Sequence, residues 1–227
     1  MAEAPVALVT GASSGIGQAV AARLIGGGWQ VIGVSRRRPV LPGPGCRWIE
    51  ADLADPAAAA DVAARAGRLD AVVHAAGLQF SAPLGGLDHD HGELMWRLHV
   101  DVPTRLIDAA VQQLTDGARI VLIGSRTSSG VAGKSQYAAT KAALMGMGRT
   151  WAQELAPRGI TVNVLSPGPT DTPMLADPGR AATPAKLPAL GRLVDPEDVA
   201  ALAGFLLGPH GKSITGQNYV ICGGASL

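Results

Sequence analysis

This sequence is poor in the features that mark several other classes of protein. Its 227 residues include only two cysteines, Cys46 and Cys222, which lie far apart without metal-type spacing, so we expect free thiols in a reducing compartment. The formal net charge is only +1, and the run Arg36–Arg38 is too short for a nucleic-acid surface. No apolar run approaches the roughly 20 residues of a membrane-spanning helix, and no basic leader precedes the first apolar segment. These absences predict a cytoplasmic protein without nucleic-acid or membrane partners.

What the sequence does contain is an alternation of short β-branched runs with longer Ala- and Leu-rich stretches. Apolar residues make up 47% of the chain, enough for a large core, and no linker divides residues 1–227, so we expect a single domain. Continuous apolar runs such as Val6–Thr10 are typical of parallel strands buried on both faces. The order therefore predicts an α/β fold with a doubly wound parallel sheet of the Rossmann type, about seven strands with helices on both faces.

The apolar patterns also predict the bounds of the elements. The predicted strands are Val6–Thr10, Gln30–Val34, Arg47–Glu50, Asp70–His74, Arg119–Gly124, Thr161–Leu165 and Asn218–Ile221. The predicted helices are Gly15–Ile25, Ala57–Arg65, a long one within Asp90–Leu114, Ser135–Leu155 and Pro196–Leu207. Proline and glycine content predicts loops at Pro39–Gly45 and Pro173–Pro188.

A glycine-rich turn follows the first predicted strand and opens the first helix. The segment reads TGASSGIG (Thr10–Gly17). A helix N-terminus with glycines offers free N–H donors and close backbone approach, which a pyrophosphate needs. We expect Gly11 to permit the tight turn, Gly15 to admit the pyrophosphate and Gly17 to let the helix pack near the strand. The alternative is a turn with no ligand, but the position after the first strand favours a dinucleotide site.

The end of the second predicted strand bears on the choice of cofactor. NAD sites usually place an acidic residue there for the ribose 2′-hydroxyl, whereas an arginine accommodates a 2′-phosphate. Here the acidic position is Ser35, and Arg36 and Arg37 follow it. The sequence therefore predicts NADP rather than NAD, unless these arginines are solvated loop residues. Asp52, after the third strand, either contacts the adenine amine or is a carboxylate near a helix N-cap.

Three polar residues are predicted to form a catalytic group. Tyr137 and Lys141 lie four apart on a predicted helix and therefore project from one face. A neighbouring ammonium and an oxidised nicotinamide would favour the phenolate of a tyrosine whose pKa is ordinarily about 10. Ser125 ends the preceding strand, at the edge where such sheets bind ligands, and can orient a substrate oxygen beside the phenol.

Taken together, these motifs resemble the short-chain dehydrogenase/reductase family over essentially the whole chain. The resemblance rests on TGASSGIG (Thr10–Gly17), ADL (Ala51–Leu53), HAAG (His74–Gly77), IGS ending at Ser125, YAATK (Tyr137–Lys141), NVLSPGPTDT (Asn163–Thr172) and ITGQ (Ile214–Gln217). It implies an enzyme that transfers a hydride between NADP(H) and a carbonyl or secondary alcohol, with the nicotinamide carrying the redox chemistry. It also implies a homotetramer or homodimer.

The resemblance assigns roles to individual residues. Tyr137 would be the catalytic acid/base and Ser125 would hold the substrate oxygen. Lys141 would bind the nicotinamide ribose and lower the Tyr137 pKa. Motif reasoning and resemblance together predict cofactor contacts at Gly11, Ser13, Ser14, Gly15, Ile16, Gly17, Ser35, Arg36, Arg37, Asp52, Leu53, Ala75, Ala76, Gly77, Tyr137, Lys141, Pro167, Gly168, Thr170 and Thr172.

Two positions depart from the family pattern. His74 and Ala75 stand where the family has two asparagines, although the backbone turn at Ala76 and Gly77 can persist. His99 falls where the family commonly has an asparagine that holds a water of the proton relay. Imidazole both donates and accepts, so His99 either serves the relay with altered pH dependence or is a packing histidine.

The remaining residues give weaker indications. A lid over the substrate pocket is expected around residues 173–190. Arg126 and Lys134 near the pocket mouth suggest a substrate with a carboxylate or several hydroxyls, unless Arg126 faces solvent or a subunit partner. The spacing of His89 and His91 around Asp90 could bind a metal, but a solvated polar loop is expected instead, and hydride transfer needs no metal. The open alternatives are a 3-oxoacyl-carrier-protein reductase and a nucleotide-sensing protein without turnover; a related lyase or epimerase lacks positive evidence.

Overall fold

Within the part of the chain that the structure describes, seven strands join one parallel sheet. The computed structural model describes residues 3–43, 45–184 and 186–227. The strands are β1 (Val6–Thr10), β2 (Gln30–Ser35), β3 (Cys46–Glu50), β4 (Leu69–His74), β5 (Leu114–Ile123), β6 (Thr161–Pro167) and β7 (Asn218–Ile221), in the spatial order β3-β2-β1-β4-β5-β6-β7. Every neighbouring pair is parallel, which confirms the predicted doubly wound fold. The strand order reverses between β1 and β4, and ligands of such sheets bind in the crevice at that point.

Helices cover both faces of the sheet. They are α1 (Gly15–Gly26), α2 (Ala58–Ala66), α3 (His89–Trp96), α4 (Val102–Ala110), α5 (Ser135–Leu155) and α6 (Pro196–Leu207). Within β1, Leu8 faces the core shared with α2, α4 and α5, while Ala7 and Val9 face the core shared with α1 and α6. Because successive side chains of a strand point to opposite faces, the continuous apolar run of β1 supplies both cores.

The predicted long helix within Asp90–Leu114 is found as a continuous helical segment from His89 to Ala110, which contains a π-helical turn and ends four residues before Leu114. It is divided into α3, a π-helical segment over Arg97–Asp101, and α4, which ends at Ala110. Pro103 at the start of α4 cannot donate a backbone hydrogen bond to the preceding turn, which favours the local change from α-helical to π-helical geometry there. Leu114 already belongs to β5, where it pairs with Leu69 before an irregularity in the register, so β5 begins five residues earlier than predicted.

The two predicted loops fall on irregular segments, and the second contains local structure. In Pro39–Gly45, residue 44 lies outside the described residues, and the others belong to no helix or strand. The lid region, in which residue 185 lies outside the described residues, contains 3₁₀ turns at Pro173–Ala176 and Pro178–Arg180. Among the described helices, none has the length and apolar character needed to cross a membrane.

Candidate active site

One large cleft of about 800 Å³ lies at the carboxyl edge of the sheet. Its walls include the glycine turn, the segment after β4, the end of β5, the start of α5, the segment after β6 and the lid. The predicted site residues that line it are Gly11, Ser14, Gly15, Ile16, Gly17, Ala75, Ala76, Gly77, His99, Ser125, Tyr137, Lys141, Pro167, Gly168, Thr170 and Thr172. Within the described chain, Ser13, Ser35, Arg36, Arg37, Asp52 and Leu53 are not among the lining residues.

The glycine turn has the geometry of a phosphate cradle. Gly11 and Gly15 have φ values of 70° and 55°, which L side chains rarely adopt. A Cβ at Gly17 would lie 2.4 Å from the carbonyl oxygen of Gly11, so only glycine lets α1 approach the turn this closely. The N-cap Ser14 makes no side-chain capping bond, and the first turn of α1 carries no acidic residue. The N–H groups at this helix end are therefore suited to an anionic ligand, and the residues present fit a dinucleotide.

The end of β2 lies against this turn. Gly11 N–H donates to the carbonyl oxygen of Val34 at 2.9 Å, so Ser35 and Arg36 follow directly beside the glycines. Ser35 is buried and its hydroxyl donates to the carbonyl oxygen of Arg37 at 2.6 Å, which fixes the turn. Arg36 and Arg37 are exposed. They lie outside the cleft wall, one and two residues after Ser35, at the end of the strand that contacts the glycine turn.

Asp52 and Leu53 have different surroundings. Asp52 is exposed, and its carboxylate accepts a hydrogen bond of 3.0 Å from Ala54 N–H, two residues on. Leu53 is buried in the core beneath α2 and α4. Any contact of Leu53 with a cofactor would therefore involve its backbone.

Ser125, Tyr137 and Lys141 converge on the cleft, and each is less than 10% exposed. Ser125 Oγ accepts a hydrogen bond of 3.1 Å from Thr127 N–H, as the N-cap of a short 3₁₀ turn. That bond uses a lone pair and leaves the hydroxyl proton to be donated. Lys141 Nζ donates to the carbonyl oxygen of Ile123 at 2.8 Å and lies 5.9 Å from the centre of the Tyr137 ring.

Burial shifts the pKa of both titratable groups. It lowers the pKa of the Lys141 ammonium to about 7, because the charged form loses its hydration. Burial raises the pKa of the Tyr137 phenol, while the Ser125 side chain and the positive charge of Arg180 act in the opposite direction. At neutral pH the phenol therefore holds its proton, as the acid in ketone reduction must.

His99 is fully buried and both of its ring nitrogens have protein partners. Leu78 N–H donates to Nε2 at 3.2 Å. Because Nε2 accepts, the neutral ring carries its proton on Nδ1 and donates to Thr140 Oγ1 at 2.8 Å. Thr140 Oγ1 in turn donates to the carbonyl oxygen of Tyr137 at 2.9 Å. Burial, together with the charge of Lys141, holds the pKa of His99 well below its ordinary value, so the ring is neutral.

His74 is tied to the glycine turn rather than to the cleft. Its Nε2–H donates to the carbonyl oxygen of Leu98 at 3.0 Å, and its Nδ1 accepts from the Thr10 hydroxyl at 3.0 Å. The same Thr10 oxygen accepts from the N–H groups of Ala75 and Ala76, each at 3.1 Å. The backbone after β4 is therefore held in place although His74 and Ala75 replace two asparagines of the family pattern.

Comparisons with known proteins agree with this geometry. A family model described as enoyl-(acyl carrier protein) reductase matches residues 11–226. The 3-oxoacyl-(acyl-carrier-protein) reductase FabG of Salmonella typhimurium is 34% identical over 238 residues, which cover 98% of this chain and 97% of that protein. The cyclic-di-GMP-binding biofilm dispersal mediator protein of Escherichia coli K12 is 33% identical over 228 residues, covering 95% of this chain and 94% of the other.

Solved structures match equally well. A short-chain dehydrogenase from Burkholderia cenocepacia J2315, crystallised in complex with NADP, is 36% identical with a TM-score of 0.88, and 98% of each chain is covered. The chain belongs to the short-chain dehydrogenase/reductase family. The matched reductases and dehydrogenases identify this chain as an oxidoreductase of that family, and the predicted family and fold are confirmed.

The structure adds site residues that the sequence reasoning for this short-chain dehydrogenase/reductase missed. Arg180 and Lys186 of the lid line the cleft, as do the two cations noted from the sequence, Arg126 and Lys134. The sequence signal for Arg180 and Lys186 was the presence of basic residues within a lid that follows the segment after β6.

His91, expected in a solvated loop, instead lies in α3 and stacks on Phe80 at a ring-centre distance of 3.7 Å. Within the described residues, no group of three His, Cys, Asp or Glu side chains could hold a metal.

Proposed function

We propose that this protein is an NADPH-dependent reductase of ketones, or in reverse a secondary-alcohol dehydrogenase, that uses Ser125, Tyr137 and Lys141. The observation that carries the proposal is that these three side chains and the glycine turn line one cleft. The cleft thus joins a phosphate cradle to a buried proton donor. NADP is the cofactor bound by the similar Burkholderia cenocepacia dehydrogenase, which supports the same cofactor here.

Each residue of the catalytic group would have its own role in the reaction. The bound nicotinamide would supply or accept the hydride. Tyr137 donates its proton to the substrate oxygen during reduction and takes it back during oxidation. Ser125 donates a hydrogen bond to the same oxygen and holds it beside the phenol. Lys141, anchored on Ile123, stands beside the Tyr137 ring, where its charge favours the phenolate when protonated. His99 would support the group through Thr140 and the Tyr137 backbone, and its part in a water relay stays a prediction.

Arg36 is proposed as the residue that selects NADPH. A guanidinium beside the glycine turn can form charge-assisted hydrogen bonds to a 2′-phosphate, which NADH lacks. Titration of the purified protein with each nucleotide, followed by nicotinamide fluorescence, tests this assignment. We expect much tighter binding of NADPH, and we expect Arg36→Gln to weaken NADPH binding by roughly 10-fold or more while NADH binding changes little. Arg105→Gln, at an exposed site on α4, is the matched control. Equal affinity of the unchanged protein for both nucleotides would overturn the assignment.

Reduction of a 3-oxoacyl group on an acyl-carrier protein is a second candidate activity. It is supported by the FabG reductase, which matches 98% of this chain at 34% identity. An acidic carrier would need basic residues at the rim of the cleft, and the exposed Lys186 is one. A comparison of acetoacetyl carrier protein with a neutral acetoacetyl thioester in the NADPH oxidation assay separates the two candidates. A strong preference for the carrier protein would favour this one.

Nucleotide binding without turnover is a third candidate. It is supported by the Escherichia coli relative that is named for binding cyclic-di-GMP. The retained Ser125, Tyr137 and Lys141 favour catalysis instead. Tight NADPH binding combined with no reduction across a broad ketone panel would favour the binding protein.

The proposed cellular setting follows from the surface and the cysteines. We place the enzyme in the cytoplasm, where Cys46 and Cys222 would remain the free thiols they are in the structure. We also propose a homotetramer or homodimer, supported by the exposed apolar side chains of Phe205 on α6 and Val220 on β7. Light scattering of the purified protein tests the assembly.

A further inference from the structure

Four cationic side chains line the cleft. They are Arg126 directly after Ser125, Lys134 directly before α5, and Arg180 and Lys186 in the lid. None of the described residues that line the cleft is an aspartate or a glutamate. Within the described chain, none of the four cations forms a salt bridge. The described wall of the cleft therefore carries four positive charges and no carboxylate.

Arg180 is held in place by the fold of the lid. The carbonyl oxygen of Gly179 accepts a hydrogen bond of 3.0 Å from Ser81 N–H. A Cβ at Gly179 would lie 2.6 Å from the Phe80 ring, so the lid packs tightly on the segment after β4. The Asp177 carboxylate accepts from Gly179 N–H at 2.8 Å and caps the short turn that ends at Arg180. This turn therefore fixes the backbone of Arg180 at the cleft.

The guanidinium of Arg180 has unused hydrogen-bonding capacity. Its Nη1 makes one long bond of 3.4 Å to the carbonyl oxygen of Met174. Its Nε is buried and has no hydrogen-bond partner among the described residues. A buried N–H of a charged group without a partner is costly, so a native protein usually supplies one, here from a ligand.

The charges also act on each other and on the reacting group. Burial and then the charges of Arg180 and Arg126 lower the pKa of Lys134, so the Lys134 ammonium lies close enough to both guanidinium groups to be repelled by them. Arg180 is also close enough to Tyr137 for its charge to lower the pKa of the phenol. Asp177 offsets part of the Arg180 charge, but it is exposed and its carboxylate already serves the turn. An anion between the cations would relieve the repulsion.

We propose that Arg180, aided by Arg126 and Lys134, binds a carboxylate of the substrate close to the carbonyl that is reduced. The substrates would then be small keto acids, and hydroxy acids in the reverse direction. This inference rests on the proposed reductase function and specifies its substrate class. A small anion fits better than a carrier protein, because Arg126, Lys134 and Arg180 are half-buried in the cleft, whereas a docking protein would meet exposed groups such as Lys186.

Matched substrate pairs test the proposal. We would measure kcat/KM with NADPH for acetoacetate and 4-oxopentanoate and for the methyl ester of each, in the unchanged protein and in Arg180→Gln. We expect the acid to be preferred over its ester by at least roughly 10-fold, and Arg180→Gln to lower the acid-to-ester ratio by roughly 30-fold. Arg180→Lys should restore part of the ratio. Arg149→Gln, at an exposed site on α5, is the control and should leave the ratio as it was.

A preference for the esters, or a ratio that Arg180→Gln does not change, would overturn the proposal. Reduction of acetoacetyl-coenzyme A shows whether the cations recognise a carboxylate near the carbonyl or phosphates far from it. If this thioester is reduced faster than acetoacetate, and if Arg180→Gln leaves kcat/KM for acetoacetate unchanged, the cations bind the carrier group of the substrate and the proposal is wrong.

A binding measurement keeps the proposal separate from the reductase function. Calorimetry would measure malonate binding to the protein with and without saturating NADP⁺. Binding with NADP⁺ present that Arg180→Gln weakens roughly 10-fold or more supports the anion site even if no tested ketone is reduced. Loss of malonate binding on addition of NADP⁺ would show that the cations hold the cofactor's phosphates, and absence of binding in both states would also overturn the proposal. Failure to bind NADP⁺ at all would contradict the proposed function alone.

Discussion

The ammonium nitrogen of Lys141 donates a 2.8 Å hydrogen bond to the carbonyl oxygen of Ile123, two residues before Ser125. This bond ties α5, which carries Tyr137 and Lys141, to the last residue of β5, and Ser125 follows two residues later. It also places a titratable amine in the interior, where burial lowers the pKa of Lys141 to about 7 from an ordinary 10.5.

The buried amine predicts that the free protein is more stable at pH 9 than at pH 7. Above pH 7 the folded state releases the Lys141 proton while the unfolded state still binds it, so the free energy of unfolding rises with pH. The destabilisation caused by burying Lys141 is complete below about pH 7, and it disappears only above the pKa that Lys141 has in the unfolded chain. Urea unfolding should show a gain of about 2 kcal/mol between these pH values. Lys141→Met should abolish the gain, whereas Lys212→Met, at an exposed site, should keep it. A gain that persists in Lys141→Met would contradict the assignment.

Tyr137→Phe is expected to remove most of the activity and to retain the cofactor. Without the phenolic proton the substrate oxygen must take its proton from water, and loss of a positioned acid costs roughly 100-fold to 10,000-fold in kcat. The chain has only two tyrosines, so Tyr219→Phe, on β7, is a natural control and should keep its activity. The readouts are NADPH oxidation with a reducible ketone and NADPH binding by fluorescence. If Tyr137→Phe kept full kcat, Tyr137 would not be the proton donor.

The glycine turn predicts a steric effect at Gly17. A Cβ at this residue would lie 2.4 Å from the Gly11 carbonyl oxygen, a backbone atom that cannot move without shifting the turn. We expect Gly17→Ala to lower the free energy of unfolding by about 1–3 kcal/mol and to weaken NADPH binding. Gly26, the last residue of α1, has open space around a Cβ, so Gly26→Ala should be neutral or stabilising by up to about 1 kcal/mol. Equal stability of the two variants in urea unfolding would be inconsistent with this packing.

The parts of the fold that the sequence predicts well are those whose signal is local. Continuous apolar runs mark β1 and β4, because a strand between two helix layers must be apolar on both faces. The early start of β5 was not predictable, since Thr115, Asp116 and Gly117 are polar or flexible and carry no apolar alternation. The π-helical turn at Arg97–Asp101 was missed because five residues are too few to distinguish its period from that of an α-helix.

The candidate site follows the same rule. Spacing predicts that Tyr137 and Lys141 share a helix face, and chain order predicts Ser125 at a strand end. Neither can show that Arg180, more than 40 residues beyond Tyr137, comes close to it, because the path of the lid depends on contacts such as that of Gly179 with Phe80. The partners of His99 also depend on tertiary packing, as Leu78 and Thr140 lie on different segments.

His74 provides a test of how a buried imidazole replaces an amide. Burial, reinforced by the charge of Lys141, lowers the pKa of His74 to about 3 from 6.5. The unfolded chain binds a proton near pH 6.5 that the folded protein excludes, so this contribution to stability is present above pH 6.5 and is lost as the pH falls toward 3. Between pH 7 and pH 5, His74 alone should account for a loss of about 2 kcal/mol in the free energy of unfolding.

Between pH 7 and pH 5, the free energy of unfolding of His74→Asn should therefore fall by about 2 kcal/mol less than that of the unchanged protein, because asparagine does not titrate. Urea unfolding at pH 7 and pH 5 measures the difference, with His210→Asn, at an exposed site, as the control. His99 is buried as well and should continue to cause an acid-dependent loss in the His74 variant. If the free energy of unfolding of His74→Asn depended on pH as in the unchanged protein, the ring of His74 would have to be protonated in the folded state at pH 5. It would then also donate from Nδ1, and the Thr10 hydroxyl, which now donates to that nitrogen, would have to turn away from it.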